Sequence, residues 1–149
     1  MRIVRVQTAD FDVDAECQTL VGMRRSIGAV VTLTGYVRRD AGLTALAIEH
    51  YPGMTEREIA KHAAEAEDRW PLLALAVIHR VGTLLPGERI VLVVTASAHR
   101  EPAFRAAEFL MDYLKTRAPF WKQEQHGSSA KWVEAKESDA DAALRWLPR

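Results

Sequence analysis

The chain is poor in the features that most readily betray a function. It holds a single cysteine, Cys17. One thiol excludes an internal disulfide framework and fits a reducing compartment, which makes the cytoplasm the expected location. Cys17 lies in an apolar stretch with no histidine-rich motif beside it, so it reads as a buried filler and not as a nucleophile. No run approaches the roughly 18–20 apolar residues of a membrane span. The start, MRIVRVQTADFDVD, is too polar for a secretory signal. The 20 basic residues are balanced by 20 acidic ones, so bulk attraction to nucleic acid or to an anionic membrane is not expected. The phosphate-loop, dinucleotide-binding, HExxH and paired CxxC signatures are all missing. The 5 histidines are scattered, and none pairs with another at a metal-ligand spacing. No resident metal or cofactor is therefore expected. No linker, repeat or low-complexity tract divides the chain, and residues 1–149 are expected to form one domain.

What is present suits an ordinary globular core: 149 residues, 48% hydrophobic and 27% charged. Ile3–Val6 reads as a first strand, and Asp14–Arg25 as a helix with Cys17, Leu20 and Val21 on one face. Gly28–Val37 and Leu43–Tyr51 are β-rich, and the Asp40–Gly42 turn between them suggests a hairpin. The next helix has Thr55 and Glu58 at capping-box spacing. Ile59, Ala63, Ala66 and Trp70 share one of its faces, and Pro71 stops it. Leu73–Val81 and the nearly all-apolar Arg89–Ala98 read as strands, the latter central, with a turn at Leu84–Glu88 between them. Arg100–Arg117 is a second strong helix, broken by Pro119. Phe120–Glu124 and Lys131–Ala135 read as late strands around a mobile loop, Gln125–Ala130, and Ser138–Trp146 as a short final helix. The order predicts an α+β fold with a mainly antiparallel sheet and packed helices.

Three small cationic clusters are the candidates for chemistry. Arg38 and Arg39 end the GYVRR strand. His99 and Arg100 stand where an apolar strand gives way to a helix, and backbone N–H groups there already favour an anion. Arginine adds a planar donor fork suited to phosphate. Lys115, in the last turn of its helix, and Lys122, in the extended segment beyond, flank Pro119 beside Phe120 and Trp121. Taken singly, each cluster is also explained as a solvated turn or as a lysine complementing the helix dipole. Taken together they point to a phosphorylated ligand and go no further. His50 and His79 read as structural residues within strands, and His62 as a solvated residue on the polar side of its helix. Three readings stay open from the residues alone: an enzyme, a binding module for a phosphorylated metabolite or protein tail, and a single-strand nucleic-acid binder using Phe120 and Trp121.

Five segments in order, GAVVTLTGYVR (28–38), LAIEHYPGM (46–54), VIHRVG (77–82), SAHR (97–100) and MDYLKTRAPFWK (111–122), followed by WVEAKES (132–138), resemble the large, catalytic subunits of molybdopterin synthase. The resemblance covers the chain from about residue 26 onward, and the DYLKTRAPFWK block is long and unusual in composition. It implies a sulfurtransferase of molybdenum cofactor biosynthesis with an α/β-hammerhead fold. It implies a cyclic pyranopterin monophosphate substrate, converted to molybdopterin by two sulfur transfers. It also implies a small ubiquitin-like partner carrying sulfur as a C-terminal thiocarboxylate, and a homodimer of large subunits within a heterotetramer. Carried over residue by residue, Lys115 and Lys122 are the implied catalytic lysines. Tyr36, Val37, Arg38, His99, Arg100, Gln123 and Glu124 join them in binding substrate. Tyr36 stands where many members carry Lys, Lys136 where Arg is common, and the loop after Arg39 is short. On this resemblance Lys115 is expected nearest the thiocarboxylate carbon, stabilising developing charge and donating a proton if burial lowers its pKa, with Lys122 as the second charge.

Helix geometry adds a constraint. From Arg100 to Lys115 a straight helix runs about 22 Å, at about 1.5 Å per residue, too far for one small pocket to touch both ends. Each site is therefore expected to combine Lys115 and Lys122 of one protomer with His99 and Arg100 of its dimer mate.

Overall fold

A computed structural model describes residues 1–40, 42–134 and 136–147. Ala41, within the expected Asp40–Gly42 turn, and Ala135, at the end of the expected Lys131–Ala135 strand, lie outside the described residues. The elements are β1 (Arg2–Gln7), α1 (Val13–Val21), β2 (Ala29–Tyr36), β3 (Ala45–His50), α2 (Met54–Arg69), β4 (Leu72–Arg80), β5 (Gly82–Leu84), β6 (Arg89–Ser97), α3 (Arg100–Thr116), β7 (Phe120–His126), β8 (Ser129–Val133) and α4 (Glu137–Leu144). No helix among the described residues is long and apolar enough to cross a membrane.

Two four-stranded sheets carry the architecture, ordered β1-β4-β6-β2 and β5-β3-β7-β8. Among the described residues only the β1/β4 pair is parallel; the other pairs are antiparallel. This is the mostly antiparallel α+β arrangement the element order predicts. β4 and β6 form the middle of the first sheet and are apolar along nearly their whole length because both their faces are covered. On one face Val77, Val91 and Val93 pack with Ile59 and Ala66 of α2 and with Phe109 and Leu110 of α3. On the other, Ala76, Ile78, Leu92 and Val94 pack with Phe11 and with Leu20 of α1. Burying a side chain such as Leu92 stabilises the fold by roughly 1.5–3 kcal/mol. Small residues bring α3 close: Ala103 and Ala106 are fully buried, and Thr95 Oγ1 donates to the Ala103 carbonyl at 2.6 Å.

Several local expectations are corrected. β2 and β3 do not form a hairpin. β2 pairs with β6 in the first sheet, and β3 with β5 and β7 in the second. The chain leaves the first sheet at a register shift between Gly35 and Tyr36. Its exit is tied to the 85–88 turn by the Val37 N–H on the Glu88 carbonyl and the Gly87 N–H on the Val37 carbonyl, both 2.8 Å. Helix α1 ends at Val21, not Arg25, because Gly22 takes φ 54° and donates its N–H to Gln18 O. The capping pair of α2 lies two residues before the one read from the sequence: Glu56 Oε2 accepts from the Gly53 N–H at 2.9 Å. Thr55 is instead buried, where Oγ1 accepts from the Tyr51 N–H at 2.9 Å and donates to the Pro119 carbonyl at 3.2 Å. The expected mobile loop at Gln125–Ala130 is the closing part of the β7–β8 hairpin, paired up to His126 and Ser129. His62 is not solvated but half-buried and stacked on Tyr113, with centroids 3.5 Å apart.

Gly28, just before β2, is required by space. A Cβ there would stand 2.2 Å from the Ala98 carbonyl oxygen. This close approach lets the Gly28 N–H donate to Ser97 O at 2.9 Å and ties the start of β2 to the corner from which α3 departs.

Candidate active site

Helix α3 buries Tyr113 and Leu114 and turns the next residue, Lys115, out of the core. The helix closes with the N–H groups of Arg117 and Ala118 both on the Tyr113 carbonyl, at 2.9 and 3.1 Å. Pro119 then forces extended backbone, and β7 begins at Phe120. Strand alternation places Phe120, Lys122 and Glu124 on one face and Trp121 and Gln123 on the other. Lys115 and Lys122 thereby meet from two different elements across one tight corner.

Both lysines line a cavity of 550 Å³. Tyr36, Val37, Arg38 and Asp40 wall it where the chain leaves β2. Leu43, Leu46 and Ile90 supply apolar surface. Thr116 and Ala118 join Lys115 from the end of α3, and Phe120 and Glu124 join Lys122 from β7. Val133, Glu134, Lys136, Ser138 and Asp139 close the remaining side. The lining is not uniformly cationic, as the sequence clusters imply. Arg38, Lys115, Lys122 and Lys136 are matched by Asp40, Glu124, Glu134 and Asp139. Of these acids only Glu124 is singled out from the sequence; Asp40, Glu134 and Asp139 look there like ordinary solvated surface. Glu124 also lies 3.3 Å from His126 Nε2.

The fold perturbs Lys122. Burial, and then the nearby Lys115 ammonium, lower its pKa to about 8, with Asp139 opposing the shift. Below it lies His79 on β4, only 2% exposed. Its pKa is pushed down to about 3, first by burial and then by Lys122, so the imidazole is neutral. The ring stacks on Phe120 with centroids 3.9 Å apart and planes 19° from parallel. Its Nδ1 is 2.8 Å from the Arg80 carbonyl and carries the proton it donates there. His79 belongs to the strand scaffold, as its position in an apolar run suggests, yet it sits directly behind the cavity wall.

Within one chain the structure brings together six of the nine residues singled out from the sequence: Tyr36, Val37, Arg38, Lys115, Lys122 and Glu124. It does not bring Gln123, which points to the opposite face of its sheet, nor His99 and Arg100. His99 is the N-cap of α3 and Arg100 its first residue, at the far end of the helix from Lys115.

A family model described as MoaE protein matches residues 6–117. A protein of Mesorhizobium japonicum named molybdopterin synthase catalytic subunit is 60% identical over 146 residues, covering 96% of this chain and 92% of that protein. One of the same name from Escherichia coli is 57% identical over 122 residues, covering 80% and 81%. Among solved structures, molybdopterin cofactor biosynthesis protein E from Burkholderia multivorans superimposes with a TM-score of 0.85 at 50% identity, covering 98% of this chain and 97% of that one.

Proposed function

The chain belongs to the MoaE protein family, and from that premise we propose that the cavity between α3 and β7 is where sulfur is transferred. The activity is that of a molybdopterin synthase catalytic subunit, a sulfur-transferring enzyme of molybdenum cofactor biosynthesis. The reading treats residues 1–149 as one cytoplasmic domain. Its substrate is a cyclic pyranopterin monophosphate. Its sulfur donor is the thiocarboxylated C-terminus of a small ubiquitin-like subunit, and the assembly is a dimer of large subunits with one small subunit at each end. One observation carries the reading: Lys115 and Lys122, separated by a helix end and a proline, converge on the same recess.

The chemistry needs fixed positive charge where two anions meet. A phosphate and a thiocarboxylate repel one another in water. Preorganised cations in a recess offset that repulsion and stabilise the negative charge that develops on the oxygen of the thiocarboxylate-derived acyl group when its carbon is attacked. Arg38, held at the β2 exit, suits the phosphate with its planar fork. Lys115 is assigned to the thiocarboxylate carbon. Proton donation passes to Lys122, whose pKa near 8 lies closer to neutrality and favours proton exchange there. The acidic residues of the lining equal the cations in number, so the positive charge is local to Arg38 and the two lysines.

The direct experiment is to incubate the chain with the thiocarboxylated partner and the precursor and to follow dithiolene product. Lys115→Ala and Lys122→Ala are each expected to lower the rate on the order of 10²–10³-fold. Full turnover by both variants would remove the proposal. The distance along α3 supports a second part of it, in which His99 and Arg100 serve the site of the dimer mate. A mixed dimer of Arg100→Ala and Lys115→Ala chains then keeps one intact site and about half the activity. An inactive mixed dimer would place both residues in the same site instead.

A further inference from the structure

Among the described residues no strand pairing links the two sheets: every hydrogen-bonded strand pair lies within one sheet or the other. The lysine-bearing strand β7 reaches the first sheet through its pairing with β3, the β3–β5 pair and the chain link from β5 to β4, and also through side-chain contact. At its first residue that contact is the stack of Phe120 on His79. His79 is an unusual choice for a site 2% exposed, since a leucine or phenylalanine would fill it at no polar cost. The imidazole brings a flat face to match the Phe120 ring and an N–H for the Arg80 carbonyl. It brings no charge to a place that already faces two ammonium groups. Lys122 lies two residues beyond Phe120 on the same face of β7, so a shift of that ring shifts the amine.

We propose that His79 is a positioning residue for sulfur transfer: its uncharged ring, clamped beneath Phe120, seats β7 so that Lys122 stays shielded beside Lys115. The proposal rests on the assignment of the lysine cavity to that reaction, but its primary readout does not. The shielding is visible as the depressed titration of Lys122, a property of the chain alone. The groups that face this corner are Lys115 from α3, Lys122 and Glu124 from β7, His50 from β3, Arg38 and Asp40 after β2, and Glu134, Lys136 and Asp139 from the C-terminal segment. None of them is altered in the test.

Two variants separate the ring from the hydrogen bond. His79→Phe keeps the flat face and loses the donor. His79→Gln keeps a donor for Arg80 and loses the face. The midpoint of Lys122 is read by NMR of the lysine ε-carbon in the purified chain, with circular dichroism confirming the fold. The expected result is a midpoint still near 8 in His79→Phe and one raised by at least a pH unit in His79→Gln. The kcat loss is expected to be about tenfold in His79→Gln and smaller in His79→Phe, with KM for the pterin moving less than kcat. A midpoint near 8 in a folded His79→Gln protein overturns the proposal, and so does a raised midpoint in His79→Phe. If His79→Gln does not fold, His79→Leu, which fills the space without a flat ring, takes its place: a raised midpoint is expected, and one near 8 overturns the proposal. Should the midpoints move as expected while activity does not follow, the positioning of Lys122 stands and its catalytic assignment falls.

Discussion

The two sheets have four strands each and differ most in how much of themselves they hide. In the first, β6 is buried from Ile90 to Ser97. In the second, β7 is half-buried for most of its length, and all five residues of β8 are exposed. The middle strands of the first sheet, β4 and β6, spend their side chains on packing, while its outer strands β1 and β2 are half-buried or exposed. The second keeps Lys122 and Glu124 on a face that a continuous apolar strand would have filled. The contrast teaches that the rigidity of the site is borrowed. The lysine corner is stiff because α3 lies on β6 and because Phe120 lies on β4, not because β7 and β8 are themselves well buried.

Perturbing the two regions in parallel sharpens the contrast. The largest stability effect is expected on the scaffold side. Leu92→Ala, at a fully buried position of β6, should lose about 2–5 kcal/mol, read from urea unfolding, with kcat per folded molecule little changed. Lys115→Ala is expected to do the reverse, leaving the unfolding midpoint nearly in place. A large loss of stability in the lysine variant would break the division between the sheets.

A pH comparison is finer. The pKa of Lys122 is lowered from 10.5 to about 8 in the folded chain. Between those values the unfolded chain holds a proton that the folded one has released, so this residue makes stability rise as pH climbs from 8 to 10.5. Activity should fall over the same interval, because the folded site loses an ammonium. Subtracting the profile of Lys122→Met from that of the wild-type chain isolates both trends, and parallel trends would contradict the assignment.

The smallest effect is expected at the open end of the first sheet. There Arg89 grips Asp10 with two bonds of 3.0 and 2.8 Å. The bond to Arg89 holds the Asp10 carboxyl down at about 2, from 3.8. Its contribution is present above pH 3.8 and lost as pH falls toward 2. The pair is solvent-exposed, so Asp10→Asn should cost no more than about 1 kcal/mol, detectable as a weaker acid dependence of the melting temperature.

Legibility in the sequence follows the same division. β4, β6, α2 and α3 were readable because long apolar runs and helical periodicity are local signals. The pairing of β2 was not, since two β-rich runs around a turn look alike whether they join one another or part into separate sheets. Thr55 misled for a related reason: a hydroxyl suited to capping was used to tie Tyr51 to Pro119, a contact 64 residues away. Lys115 and Lys122 could be picked out because a proline lies between them. Asp139 could not, because only the folded path of the C-terminal segment brings it to the cavity, and Lys136 stands out only as a departure from the family's Arg. The choice left open between an enzyme and a binding module was beyond the residues alone, and it is family membership that identifies an enzyme.

Gly28 carries a consequence of a different kind. Its bare backbone lies against Ala98, and the residues after Ala98 are His99 and Arg100. Even a methyl group there must push the carbonyl away and tilt the point from which α3 sets out. Mutational tolerance in this molecule is therefore not ranked by distance from charge. One of its least replaceable positions has no side chain at all, and a substitution there would be inherited as a misaimed helix.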